Sequence, residues 1–166
     1  MKFFYNNEKF RPIRRKDRIL ENEQSIELLK KSEYGFLNLG QTENGYAYGI
    51  PINYVYDENQ NCLYFHCAPE GQKIDCLKNN NLVSLCVVGK TKPISNQFTT
   101  LYESSIIFGV ADIYLSEDEK RKGLRLLIQK YSPMDSELGE KYMEKSFNRT
   151  FVFKIVIEHM TGKAKK

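Results

Sequence analysis

Pro51 falls in the middle of an otherwise extended run, Tyr46 to Tyr56, and this limits the folds open to the chain more than any other residue. A proline cannot donate to a β-ladder, so a strand that contains one belongs at a sheet edge, at a bulge or beside a split in the sheet. A second extended stretch, Cys62 to Ala68, follows after the turn at Asp57–Asn61 and carries His66. Gly71-Gln72-Lys73 comes next, at the start of a short helical pattern that packs Ile74 and Leu77 inward. A glycine leading into a first helical turn exposes unpaired backbone N–H groups, and a lysine there adds positive charge, so an anion such as phosphate could dock. An ordinary solvated lysine at a helix start accounts for the same residues equally well. Taken alone, His66 is more often a structural histidine.

The remaining periodicity is mostly that of a sheet. Glu23 to Ser32, with Asn22 as N-cap, reads as a short amphipathic helix facing inward with Ile26 and Leu29. Phe36 to Leu39, a hairpin turn at Glu43-Asn44-Gly45, then Tyr46 to Tyr56 and Cys62 to Ala68 form an antiparallel meander. Leu82 to Val88 reads as a buried strand, Gly89 to Gln97 as a polar loop, and Thr99 to Leu115 as a long strand with a bulge or bend at Gly109. Ser116 and Glu119 make a capping box that opens a helix with Leu124, Leu127, Ile128 and Tyr131 at helical spacing. Ser132-Pro133 ends it, and Asp135 to Phe147 reads as another helix, Leu138 and Tyr142 inward. Phe151, Phe153, Ile155 and Ile157 alternate as a closing strand should.

This gives six or seven strands and three or four helices without βαβ alternation: a mainly β protein, an antiparallel barrel with peripheral helices. With 166 residues, 41% of them hydrophobic, the chain can bury one good core, so a single domain over 19–166 is expected. Eleven tyrosines and ten phenylalanines against no tryptophan suit a sheet.

Several function classes fit poorly. The formal net charge is only +4, and the basic excess lies in Arg11, Arg14, Arg15, Lys16 and Arg18 of an N-terminal arm (residues 1–18) and in Lys163, Lys165 and Lys166 at the end, which read as solvated tails. A nucleic-acid partner is not indicated. Cys62, Cys67, Cys76 and Cys86 contain no C-x-x-C pair, and His66 and His159 are the only imidazoles, so no metal site is expected. The thiols read as reduced, and no run approaches the ~18 apolar residues of a membrane span, so a soluble cytoplasmic protein is expected. The start of the chain does not resemble a signal peptide, which makes the glycosylation pattern at Asn148-Arg149-Thr150 a chance match. Val88-Gly89-Lys90-Thr91 imitates a P-loop, but Ser84 stands where its first glycine belongs. No G-x-G-x-x-G or G-x-S-x-G occurs, and nothing marks a serine or acid to join His66 in a hydrolytic triad. Ser104 and Ser105, on the long strand, read from the residues alone as a barrel end facing water.

Five segments in order, Arg14-Arg-Lys-Asp-Arg18, Pro51-Ile-Asn-Tyr-Val-Tyr-Asp57, Tyr64-Phe-His-Cys-Ala68 with Gly71-Gln-Lys-Ile-Asp75, Tyr102-Glu-Ser-Ser105 with Gly109, and Thr161-Gly-Lys163, resemble the nitroimidazole-resistance (Nim-type) branch of the pyridoxamine 5′-phosphate oxidase-like flavoproteins. The resemblance spans nearly all of the chain beyond the first dozen residues. It implies a split β-barrel homodimer that holds FMN at the subunit interface. Pro51, Ile52, Asn53 and Tyr54 would then lie along the flavin ring, with His66 and Cys67 on the adjoining strand. Gln72 and Lys73 would hold the phosphate, helped by Ser104 and Ser105. Gln72 stands where a second basic residue is common in the family, and Ser105 where a β-branched apolar residue is usual. The implied activity is FMN-dependent reduction of a nitroaromatic or quinone by NADH or NADPH, with His66 as proton donor or flavin tuner. The alternative is a flavin- or haem-binding protein without turnover. Pyridoxamine phosphate oxidation is less favoured, because no arginine cluster is evident for a second phosphate.

Overall fold

Strict alternation along Tyr34–Gln41 (β2) turns Gly35, Leu37 and Leu39 inward and leaves Tyr34, Phe36 and Asn38 outside, as a strand with one covered face requires. The structure, a computed structural model, describes residues 9–166. Ahead of β2 come the two-residue β1 (Ile19–Leu20) and helix α1 (Asn22–Lys31). After it follow β3 (Ala47–Asn53), β4 (Val55–Asp57), β5 (Cys62–Cys67), helix α2 (Gln72–Asn79), β6 (Leu82–Ile94) and β7 (Thr99–Asp112). Helices α3 (Glu117–Tyr131) and α4 (Ser136–Ser146) precede β8 (Phe151–Lys165). The strands form one antiparallel sheet in the order β3-β2-β6-β7-β8-β5-β4, with β1 paired to β8.

The sheet is bent into a barrel by its own connectivity. β3 and β4 are separated in sequence only by Tyr54, yet they occupy the two ends of the sheet order. One residue cannot bridge a flat sheet of this width, so the sheet curls until its ends meet at Tyr54 and a split remains beside that residue. The interior holds Leu29, Leu37, Leu39, Tyr54, Leu63, Phe65, Leu85, Ile107 and Phe153, all essentially inaccessible to solvent. Phe65 and Phe153 stack there at 4.8 Å between centroids. A second cluster lies on the outer side of β4, β5 and β8, where Leu124 and Leu127 of α3 and Met143 of α4 cover Tyr64 and Val152.

An antiparallel barrel with peripheral helices is therefore found, with eight strands in place of six or seven. The run Tyr46 to Tyr56 is two strands, and β1 is an addition. The split falls at Tyr54, while Pro51 sits in β3, the terminal strand, paired on one side only with Phe36 of β2. The polar segment Gly89–Gln97, expected as a loop, continues β6 to Ile94, because β7 supplies backbone partners as far as Thr99. Helix α1 begins at Asn22 itself, with Glu21 as N-cap and no side-chain cap bond. Lys163 and Lys165 belong to β8, opposite Ser104 and Tyr102, rather than to a free tail.

In α4 the inward face is also different from expectation. Leu138 and Tyr142 are each 66% exposed, and Met143, Ser146 and the following Phe147 are buried in their place. The serine half of the capping box is present, with Ser116 Oγ accepting from the Glu119 N–H at 3.2 Å, while the Glu119 carboxylate accepts from Lys154 and Tyr64 in place of the Ser116 N–H. The bulge is also present: the β7–β8 register slips between Phe108 and Gly109. A Cβ at Gly109 would lie 2.3 Å from the Val156 carbonyl oxygen, so the close approach of β8 requires glycine. Of the N-terminal arm, residues 1–8 lie outside the described residues. Phe10 stacks on His159 at 4.5 Å and Lys9 pairs with Glu158 at 2.8 Å.

Candidate functional site

The split leaves two strand edges without ladder partners. β4 pairs with β5 only from Cys62 to Tyr64, so Phe65, His66 and Cys67 have β8 on one side and no strand on the other. β3 is open on the side away from β2. Unpaired main-chain groups at such edges are ready to bind a polar ligand that lies along the strand. Pro51 and Asn53 are exposed on β3, and Ile52 is half-buried against the core. Asn53 Nδ2 donates to the Glu33 carbonyl at 2.9 Å.

Tyr54, at the crossing, is fully buried, and its hydroxyl donates to the Leu29 carbonyl at 2.7 Å. No strand reaches its main chain, and the end of α3 substitutes for one. The Tyr54 N–H donates to the Tyr131 hydroxyl at 3.0 Å. The proton of that hydroxyl is shared between the carbonyls of Glu33 at 2.5 Å and Tyr54 at 2.7 Å. Lys130 Nζ donates to the carbonyls of Ser32 at 2.8 Å and Tyr54 at 2.9 Å and lies 4.1 Å from the centre of the Tyr54 ring. Burial pushes this ammonium down to about 8. Nothing in the sequence marked Lys130, which reads there as an ordinary cation in a last helical turn.

His66 and Cys67 point to opposite sides of β5, as alternation requires. His66 is on the outer side with Tyr64, and Cys67 is packed against the interior cluster. Lys73, half-buried in the first turn of α2, acts electrostatically on both. The His66 residue is exposed at the strand edge, but desolvation by the groups around its ring, and after it the Lys73 charge, depresses the imidazole below its ordinary value. Burial raises the Cys67 thiol, and Lys73 opposes that rise. Gly71 enters the helix at φ 114°, a conformation that favours glycine, and a Cβ there would meet nothing within 4 Å. The space over the helix start is therefore open, and the first N–H groups of α2, together with Lys73 Nζ, form a donor set suited to a phosphate. Gln72 is exposed beside them.

The chain thus brings Pro51, Ile52, Asn53, Tyr54, His66 and Cys67 to the strands that border the split, with Lys73 acting on His66 and Cys67, whereas Gln72 lies in a hollow with the Gln41–Asn44 turn. Ser104 and Ser105 are elsewhere. They pair with Lys163 and Gly162, whereas His66 pairs with Val152, and residues 152 to 163 of β8 represent on the order of 35 Å of strand. Ser104 is half-buried on the outer side, and Ser105 is fully buried inside with no hydrogen-bond partner for its hydroxyl among the described residues. Among the described residues no group of His, Cys, Asp and Glu is placed to hold a metal, and no helix is long and apolar enough to cross a membrane.

The fold is shared with several solved structures. A candidate 5-nitroimidazole antibiotic resistance protein from Bacteroides thetaiotaomicron is similar at 23% identity over 90% of each chain, with a TM-score of 0.71. A flavocytochrome from Azotobacter vinelandii is similar at 16% identity over 96% of this chain and 75% of its own, with a TM-score of 0.72. An FAD-binding protein from Mesorhizobium loti gives 19% identity over 90% and 98%, with a TM-score of 0.63. At these identities the likeness concerns the fold. No curated protein matches the chain in sequence. Residues 21–164 match the family model for pyridoxamine 5′-phosphate oxidase, and the chain belongs to that family of split-barrel proteins.

Proposed function

We propose that this protein is a cytoplasmic FMN-dependent oxidoreductase that works as a homodimer and passes electrons from NADH or NADPH to a nitroaromatic or quinone acceptor. The observation that carries the reading is the convergence of Lys73, the open start of α2 and His66 on the two unpaired edges at Tyr54. This is an anion-binding end joined to a flat polar slot, the shape a phosphorylated flavin needs. Bound FMN would supply two-electron transfer. Lys73 and the α2 amides hold the phosphate, and the β3 edge from Pro51 to Tyr54 lines the ring.

A second copy is supported by the outer face of the sheet, where Tyr34, Phe36, Val88 and Ile106 are exposed. Phe36 and Ile106 both pair with Cys86 in one cross-strand row, so these side chains form a continuous apolar patch. Ser104, on the same side of β7 as Ile106, would reach a flavin only from the partner. Balance for a quinone requires two electrons and two protons: a nicotinamide hydride brings two electrons and one proton, and solvent supplies the other proton. His66, with its depressed pKa, is neutral at pH 7 and offers one N–H to the site. As pH falls toward its pKa it becomes a proton source as well.

The test is the visible spectrum of purified protein with and without NADH or NADPH. A yellow protein that bleaches supports the enzyme. One that stays oxidised supports a flavin-binding role without turnover, a red one indicates haem, and a colourless one that refuses FMN and FAD in titration refutes the flavin reading. His66→Ala should keep FMN and slow turnover, and unchanged turnover removes His66 from the mechanism.

A further inference from the structure

Helices α3 and α4 enclose between them a groove of about 640 Å³ that runs up to Asn53 and His66. Its walls are Leu127, Ile128 and Tyr131 on one helix and Leu138, Tyr142 and Met143 on the other. The helices touch at Gly139, where a Cβ would lie 2.6 Å from the Ile128 side chain, and Arg125–Glu140 ties them together one turn further on. Leu138 and Tyr142, whose helical spacing would suit a core, stand 66% exposed along it. Large apolar side chains left bare on facing walls of a concave surface mark a place where something apolar binds.

The lining also indicates what kind of molecule fits. Asp135 is the only charged residue in its lining, which includes no lysine or arginine. A phosphate-bearing molecule such as a nicotinamide nucleotide would find no counter-charge there. The hydroxyls of Ser146, Thr150 and Tyr131 are already engaged with carbonyls. The His66 imidazole has no hydrogen-bond partner among the described residues, and it sits at the end of the groove nearest the flavin slot. The volume lies within the ~300–1,000 Å³ of small-molecule sites. A second copy of the chain is better served by the flatter apolar patch on β2, β6 and β7.

We propose that this groove is the acceptor pocket. It takes a planar, uncharged aromatic of the naphthoquinone class between Tyr142, Leu138 and the α3 wall, and it presents the carbonyl of that molecule to the His66 imidazole. The proposal rests on the flavin reading above for its function, but not for its binding. Equilibrium dialysis of 2-methyl-1,4-naphthoquinone against the FMN-loaded protein tests it, with Leu138→Asp and Tyr142→Asp as variants. Both side chains are exposed, so the fold should be kept, and far-UV circular dichroism verifies this. The expected result is saturable binding that weakens about tenfold in each variant, while FMN affinity holds and Lys141→Asp, outside the groove, binds as the wild type does. Absence of saturable binding, wild-type affinity in both variants, or a variant-induced change of oligomeric mass in sedimentation overturns the proposal. If FMN itself fails to bind, the flavin reading falls, and dialysis of the quinone against the flavin-free protein still decides whether the groove is a site.

Discussion

Replacing Tyr131 with phenylalanine should destabilise the fold by about 2 kcal/mol, through a single orphaned amide. The ring, which lines the α3–α4 groove, is kept. The hydroxyl is lost, and with it the acceptor for the Tyr54 N–H at 3.0 Å. Both carbonyls that share the hydroxyl proton retain another donor: Tyr54 O keeps Lys130 Nζ at 2.9 Å, and Glu33 O keeps Asn53 Nδ2 at 2.9 Å. Only the N–H is left unsatisfied, in a residue with no measurable exposure and no ladder to turn to. A lost neutral hydrogen bond contributes about 1 kcal/mol, and an unsatisfied buried donor adds about another 1. For a domain of this size that is a melting temperature lower by about 4–8 °C. Urea unfolding of the flavin-free protein followed by circular dichroism should show the midpoint fall at constant m-value, and the Tyr54 amide should exchange faster than its neighbours. A loss below about 0.5 kcal/mol with unchanged exchange at Tyr54 would mean that the seam is not held by this hydroxyl.

The neighbouring Lys130 has a folded-state pKa depressed to about 8 by burial, so the unfolded chain binds its proton more tightly. Stability from this group is present above the ordinary lysine value and is lost as pH falls through about 8. Solvent screening at this half-exposed site cuts the nominal shift to about 1–2 kcal/mol. Unfolding free energy should therefore climb between about pH 8 and 10, a climb that Lys130→Met flattens; an identical pH profile in the variant would refute it. Lys73→Met should move the His66 titration upward in NMR but not back to the ordinary value, because burial is the larger cause and remains. The same variant should weaken FMN about 10- to 100-fold by removing a charge-assisted contact to phosphate, and unchanged affinity in a fluorescence titration would place the phosphate elsewhere. Gly109→Ala forces a methyl group against the Val156 carbonyl at 2.3 Å and should cost about 2–3 kcal/mol in the same unfolding assay.

The features readable in the sequence were those settled within a few residues. The Glu43-Asn44-Gly45 turn, the Ser116 N-cap and the Gly109 bulge depend on local backbone chemistry, and all three are present. The Gly71-Gln72-Lys73 turn is of the same kind, since its φ of 114° is one that glycine favours. What could not be read depended on partners distant in sequence. Val55 and Tyr56 continue the extended run of β3, and no residue in that run records that the chain leaves β2 and joins β5. Thr91 to Ile94 look like a loop because both faces are polar, yet an arm of a long hairpin needs only a backbone partner, which β7 provides. The apolar pattern of α4 contains two overlapping stripes, and helical period alone cannot decide which one meets the barrel. The Met143 and Phe147 stripe is buried because Tyr64, Val55 and α3 offer it a surface.

The same division separates the two halves of the candidate site. The phosphate end is local chemistry at one helix start. The seam that shapes the ring slot depends on Lys130 and Tyr131, far along the chain from Tyr54. A split at the end of a curled sheet leaves one residue with a main chain that no strand can satisfy, and some other element must supply a donor and an acceptor at that point. Here α3 supplies both, so the helix that closes the seam also forms one wall of the groove beside His66. Anything that shifts the end of α3 should then move the slot and the groove together. Cofactor affinity and acceptor affinity ought to respond jointly to Tyr131→Phe, whereas Leu138→Asp on the opposite wall should alter the acceptor alone.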